Sequence, residues 1–509
     1  MLVPEPFRYE ITDFDRLTFD RFVTKDHPLV NAEREIAWNE FEPALAQYYS
    51  PDMGQPAIKP VLMLKLEFLR YLYNLSDRQV MARATSDISF RYFLQVGFSF
   101  QMPDPTALCR FRGRLGTEGF ERIFNQLVSM AREAGLVKDR LRLKDASHVI
   151  ASIAVPSTLA LVAGIRDRLL VAAEPFDPQG AAGHRLEIEL LRTRTAKDRD
   201  EARLAARVEH LRDMLTWVQS FPVPENAATN PAWQKLCQIR ELAEKILRDR
   251  DQPEEGRKTL SVTDPEARRG KHGEWYDGYV TDILMDADSG LVTQVNVLEA
   301  GGNEAKDAVK LIRSEEAAHG NDIENLSIDG AGFNGEMLQA LEEMGVTTFV
   351  PPKAVSADTR FSPNEFTLNA EATAVTCPAG QASQYRQRDR ERHATIFRFT
   401  RVVCDACPLV KQCVAKLGEG LFGRSVQKND YEPEYQRARE RSQTAAFAAV
   451  RKEHPAVERK LNEIMNHHDG RHARYRGLHK VQIQQYMTCL VVNVKRFIKL
   501  RIALRPALA

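Results

Sequence analysis

Three carboxylates in separate segments are the residues best suited to chemistry. Asp329 ends an apolar run in Asn325–Phe333, NLSIDGAGF, and Gly330 and Gly332 break the strand just after it. A carboxylate at the end of a buried strand, beside glycines that admit another chain, is where an α/β sheet places a metal ligand. An Asp in a turn can equally cap the next helix. In LRLKDASHVI, Leu141, Leu143 and Asp145 alternate with Arg142 and Lys144, the period of a strand. Asp145 then lies on the apolar, inward side, which is costly for a charge without a partner or a metal. A strand-end Asp bonded to backbone is the plainer alternative. Glu458 lies in AVERKLNEIMNHH, with Glu453 and Glu463 five residues to either side. At about 100° per residue these sit roughly 140° from Glu458, so only one of the three can face a given site. Carboxylates are hard oxygen ligands, which suit Mg2+ or Mn2+.

A second group is soft. Cys377, in CPAG, is followed by Cys404, Cys407 and Cys413 in CDACPLVKQC, four of the seven cysteines. A CxxC with two more Cys nearby can hold a structural zinc tetrahedrally. Buried free thiols or a redox-sensitive cluster are the other readings. Cys109, Cys237 and Cys489 fall in helical patterns and read as core. The third group is basic. Arg110, Arg112 and Arg114 alternate in one helical pattern, and Arg471, Arg474, Tyr475, Arg476 and Lys480 combine cations with an aromatic ring. Such surfaces track nucleic-acid strands, although a solvated helix face carries the same residue types. From Glu434 onward there are 16 Lys and Arg against 6 Asp and Glu, although the whole chain has a net charge of only +1. A basic segment on an otherwise mildly acidic protein points to a polyanionic partner.

The elements that must position these groups can be read in outline. Residues 1–140 read as helical: Pro60–Leu75 as a core helix, Ser76-Asp77-Arg78-Gln79 as a capping box, a helix from Asp104-Pro105, and another over Thr117–Ala134 stopping at Gly135. After the Asp145 strand, residues 157–255 look helical. Leu204, Val208, Leu211, Leu215 and Val218 form a packing seam, and the whole suggests an inserted antiparallel helical hairpin. Trp275–Leu298 reads as a β-hairpin about Asp286-Ala287-Asp288-Ser289-Gly290. A helix, the Asp329 strand, a short helix and a strand at Val346–Val350 follow, which together describe a mixed sheet flanked by helices. Residues 353–430 read as loop-rich. The final part is helical, closed by Tyr486–Leu500 with Leu490, Val494 and Phe497 on its apolar face.

The 509 residues imply about three domains. No apolar run approaches the ~20 residues of a membrane span, and the N-terminus has no signal-peptide pattern. The odd cysteine number argues for a reducing compartment.

Taken together, the chain resembles the DDE transposases of bacterial insertion sequences, closest to the insertion-sequence-1182 group. The likeness rests on Asp26-His27-Pro28-Leu29, FRYFLQV, Asp264-Pro265-Glu266-Ala267-Arg268, DADSGLVT, SIDGAGF, the CPAG–CDACPL cluster, and ARYRGLHKV followed by VVNVKRFIKL. The resemblance implies an α/β, RNase H-like mixed sheet with helices on both faces, an N-terminal all-helical domain, and a helical insertion after the first strand. The expected organisation is a DNA-binding domain over 1–138, catalytic segments over 139–156 and 259–353, the insertion over 157–258, a Cys-containing insertion over 354–430, and a basic completing part over 431–509. It implies catalytic, Mg2+-binding Asp145, Asp329 and Glu458, cutting at element ends and joining to target DNA. It further implies double-stranded DNA as partner, a homodimer in the synaptic complex, and a bacterial, cytoplasmic, nucleoid-associated protein. The family often has a basic residue seven positions after the Glu, where this chain has Met465. Asn462 replaces a family glycine.

Overall fold

The computed structural model describes residues 9–54, 56–252, 258–352, 360–416 and 420–504. The boundary expected at 353/354 lies outside them. At the centre is a mixed sheet of β1 (Arg142–Ile150), β2 (Arg268–His272), β3 (Glu274–Asp286), β4 (Val292–Glu299), β5 (Asn325–Ser327) and β6 (Thr347–Phe349). β1 runs antiparallel to β3 on one side and parallel to β5 on the other, and β5 continues in parallel to β6. β3 is long enough to pair with both β2 and β4. The order is compatible with an RNase H-like domain.

Each face of the sheet is covered by helices. The helix Leu478–Leu504 closes one face, and the helices of the N-terminal part pack on it in one continuous core that includes Phe68, Phe124, Leu143, Val295 and Tyr486. The closing helix begins eight residues earlier than the sequence suggests and is buried nearly all round. Its polar residues serve the edge of the sheet. Asn493 and Gln482 exchange hydrogen bonds of 2.6–3.1 Å with the backbone of Val292, Val295 and Val297, so β4 presents no bare edge there. The expected DPEAR segment starts the same helix. Asp264 accepts from the Gly477 amide at 3.1 Å, and Glu266 accepts from the Leu478 amide at 2.6 Å.

The second face carries Glu304–His319 and Gly335–Glu343 over Leu311, Leu326 and Leu341. Here the two-sided reading of β1 needs correction. Arg142 and Lys144 do not face solvent; they are 0% and 1% exposed. Arg142 pairs with Glu315 at 2.6 Å and Asp286 at 2.9 Å, and Lys144 with Asp282 at 2.7 Å. Alternation distinguishes two faces of a strand, but a covered sheet buries both, and the polar face survives only because every charge finds a partner.

Other elements refine the expectations. The Ser76–Gln79 capping box forms as read. Thr106–Glu133 is two helices joined at Gly116, whose φ of +58° suits glycine, and Gly135 ends the second. Among the described residues the insertion holds four helices, Thr158–Ala173, Pro178–Arg194, Asp200–Gln219 and Pro231–Asp251, around its own core of Leu169, Leu211, Met214 and Leu236. The loop-rich stretch also contains a three-stranded sheet of Tyr385–Asp389, Ala394–Thr400 and Phe422–Asn429.

The Arg142 network gives a stability test. Glu315→Ala leaves Arg142 buried with its main partner gone, and should cost about 3–5 kcal/mol in urea unfolding. A loss under about 1 kcal/mol, the size of a surface pair, would show that the network does not lock β1.

Candidate active site

The pairing of β1 with β5 sets Leu143 beside Ser327. Side chains alternate along a strand, so two residues further along each chain the same face carries Asp145 and Asp329. Asp329 keeps extended backbone (φ −70°, ψ 176°) and accepts weakly from the Gly332 amide at 3.3 Å. It caps the turn with one oxygen and lies on the same face as Asp145. Asp145 is half-buried, and its Oδ1 accepts from the Ala146 amide at 2.8 Å.

A helix, Pro455–Asn462, lies across this face with Val457 and Leu461 in the core. His454 precedes it, and its Nδ1 lies 3.0 Å from Ser327 Oγ. Glu458 is one helical turn further on. Among the described residues it has neither hydrogen bond nor ion pair, whereas its two rivals are neutralised. Glu453 binds Arg140 at 2.8 Å, and Glu463 binds Lys460 at 2.9 Å and Lys495 at 3.3 Å. The helix also changes to a π-turn over Glu463–His467.

The electrostatics tie the three together. Burial pushes the Asp145 carboxyl up to about 6, and the charges of Asp329 and Glu458 add to the shift while the Ala146 amide and Lys144 oppose it. Arg451 stands in the same field. Burial pulls its guanidinium below its ordinary value, while Asp329, Glu458 and Asp145 pull the other way. Its Nη1 donates to Ser327 Oγ at 3.3 Å and Ile328 O at 3.0 Å. Burial and neighbouring Arg451 lower the imidazole of His454 to about 4, so it is neutral at physiological pH. Neither residue was singled out by sequence. The available signal is their spacing from Glu458, seven and four residues, which is one stripe of a helix. The donor set is hard and carries uncompensated negative charge, which fits a divalent ion of the Mg2+ type. Among the described residues, no three His, Cys, Asp or Glu stand close enough to hold a metal as positioned.

Comparison with known proteins adds the class. A family described as "Transposase domain (DUF772)" matches residues 17–114, and one described as "Transposase DDE domain" matches 376–498. The matches support a DDE-type transposase. Such an assignment implies DNA binding and a nuclease or transposase activity. The DDE match contains Glu458, Arg451 and the four clustered cysteines, and lies beyond Asp145 and Asp329. An "Uncharacterized protein ORF8 in nfe locus" of Rhizobium meliloti is 28% identical over 130 residues, 25% of this chain. The match spans 61% of that relative's length. No solved structure matches the chain. Among the described residues, no helix is long and apolar enough to cross a membrane.

The fold gathers the cysteines. Cys377, Cys404, Cys407 and Cys413 line one cavity of about 30 Å3 with Phe366 and Phe399. Burial pushes the thiols of Cys404 and Cys413 up, and the other clustered cysteines add to it.

The basic residues divide. Arg112 binds Glu67 and Asp77 at 2.5 Å, and Tyr475 joins that buried group by accepting from Arg70 at 2.7 Å. Arg474 stacks over Tyr71 and binds Asn74, and Arg471 donates to Ser147 Oγ at 3.3 Å. These four join the C-terminal segment to the rest of the fold. Arg110, Arg114, Arg476 and Lys480 are exposed, with Arg114 over the Tyr49 ring at 4.3 Å.

The raised Asp145 has a pH consequence. A carboxyl that holds its proton more tightly when folded stabilises the fold below the ordinary carboxylate range. That contribution is lost as pH rises through about 6. In EDTA, Asp145→Asn should therefore raise the melting temperature at pH 7.5 and leave it nearly unchanged at pH 4. Equal melting of both proteins at pH 7.5 would contradict the crowding of charge.

Proposed function

We propose that the chain is a transposase that binds the terminal inverted repeats of an insertion sequence, cuts at the element ends and joins them to target DNA, within the insertion-sequence-1182 group. The observation that carries this reading is the β1–β5 register, which sets Asp145 and Asp329 on one face beneath the helix of Glu458. Strand order supports an RNase H-like catalytic domain.

Two Mg2+ or Mn2+ ions would supply Lewis acidity for the attacking water and for the leaving 3′-oxygen. Asp145 and Asp329 would hold ions from neighbouring strands, and Glu458 would complete one site from the helix. The protein's own part is to keep these carboxylates ionised and converging. Lys144 steadies the charge of Asp145 from behind, and Ser327 and His454 fix the helix on the sheet. Arg110, Arg114, Arg476 and Lys480 are the exposed cations offered to duplex DNA. Joining two ends requires a homodimer in the synaptic complex, with the N-terminal helical part gripping terminal DNA. The setting is the bacterial cytoplasm and nucleoid.

A structural zinc accompanies this reading. Among the described residues, the part around the cysteines has a buried core of Phe366, Val375, Phe397, Phe399 and Val426, small for holding short strands without a staple. Four thiols around one cavity offer the soft set zinc prefers.

The deciding experiment is cleavage of a labelled duplex carrying the DNA that flanks this coding sequence, in Mg2+. Asp145→Ala, Asp329→Ala and Glu458→Ala should bind the duplex and leave it uncut, while Glu463→Ala still cuts. A dead Glu463→Ala beside an active Glu458→Ala would replace the third carboxylate. Binding of the duplex without cutting by the wild type would favour a DNA-binding derivative, and cutting without joining a plain nuclease.

For zinc, purified protein should carry about one ion per chain by atomic emission. Cys404→Ser should lose it and expose residues 360–430 to protease. Metal-free wild type with that region still resistant would rule the zinc out.

A further inference from the structure

We propose that Arg451 binds the phosphate that is cut. This rests on the transposase reading, and names the group of the same site that receives the substrate. Arg451, near the end of the helix Ala445–Glu453, and His454, which joins it to the helix of Glu458, both reach Ser327 Oγ on the face of Asp145 and Asp329. The Arg451 guanidinium is tethered by Nη1 alone, to Ser327 Oγ and to the carbonyl of Ile328, the residue just before Asp329. Its Nε and Nη2 donate no hydrogen bond among the described residues. It also makes no ion pair within 4.0 Å of any of the three carboxylates there. A cation whose purpose was to neutralise those acids would close on one of them, as Arg140 does on Glu453 and as Lys460 and Lys495 do on Glu463. Arg451 is instead held at the margin of the cluster by backbone and hydroxyl, with its remaining donors unused.

The chemistry suits a phosphodiester. Guanidinium is planar, always charged, and presents paired N–H groups that match two phosphate oxygens. Carboxylates with bound divalent ions leave the anionic phosphate needing a donor on the side the ions do not occupy. A fixed cation there is already oriented when DNA arrives, so little reorganisation is required as charge develops on the oxygens. Arg451 supplies a cation to the site from the N-terminal side of Glu458.

The test uses the full chain and the same flanking-end duplex in Mg2+, with Arg451→Ala and Arg451→Lys. Arg451→Ala should bind the duplex within about twofold of wild type and cut it about 100-fold more slowly, the usual cost of one such donor. Added methylguanidinium should restore part of the rate, a response that a merely structural role would not give. The Mg2+ concentration for half-maximal rate should be unchanged. Arg451→Lys keeps the charge and loses the fork, so it should fold normally and still cut about 10-fold more slowly. Wild-type rates in both variants would overturn the proposal. So would a lost rate recovered by raising Mg2+, since Arg451 would then serve the ions. If the wild type itself never cuts, the transposase reading falls, and this inference with it.

Discussion

The parallel pairing of β1 with β5 is the constraint on which the candidate site depends. Leu143 lies opposite Ser327, and from that one contact follow the placement of Asp145 beside Asp329 and the docking of His454 on Ser327. A slip of one residue would turn Asp145 to the opposite face of the sheet. β5 is only three residues long, too short to secure its register by hydrogen bonds alone. The register is held from behind. Arg142 on β1 reaches Glu315 of the covering helix and Asp286 at the end of β3, and Lys144 reaches Asp282. Each pair is lost if β1 shifts, and an unpartnered buried charge costs several kcal/mol. The ion pairs on one face thus fix the acids on the other.

The same logic separates the acids that are used structurally from those that are left over. Glu315, Asp286 and Glu67 are buried beside basic partners, and the half-buried Glu463 also has one, whereas Asp264 and Asp307 are buried with no ion pair among the described residues. Asp145 and Glu458 make no ion pair among the described residues. What sets Asp145 apart is that burial pushes its carboxyl up to about 6 while two further acids, Asp329 and Glu458, add to the shift, the crowding expected where an acid cluster has a role beyond packing.

Much of the site was legible because its signals are local. The strand period around Asp145, the glycines after Asp329, the capping box at Ser76 and the turn at Asp286 each depend on a few adjacent residues. The turn forms as read, with Asp286 accepting from the Ser289 amide at 2.8 Å and Gly290 at φ +70°. What stayed hidden depends on partners far away in sequence. β2 (RRGKH) has no alternating apolar pattern and exists because β3 overruns its pairing with β4. Tyr385–Asp389 is charged and mostly exposed, and becomes a strand only against Ala394–Thr400. The covered polar face of β1 could not be told from a solvated one without the helix that carries Glu315.

The basic cluster illustrates the same limit and bears on how the molecule works. Arg112 and Tyr475 carry the pattern of a DNA-binding surface, yet they meet one another inside the protein, with Arg70, Glu67 and Asp77. This polar group joins the N-terminal helices to the segment that leads into the closing helix, across more than 400 residues of chain. Arg474 adds a second tie, stacked on Tyr71. Since Tyr71 and Phe68 also belong to the core that contains Leu143 and Tyr486, the N-terminal helices and the central sheet share one interior. In the proposed reading, DNA gripped by Arg110 and Arg114 is therefore held at a fixed distance from Asp145. The fold would set the spacing between bound sequence and cut site by packing alone, without a hinge between the two.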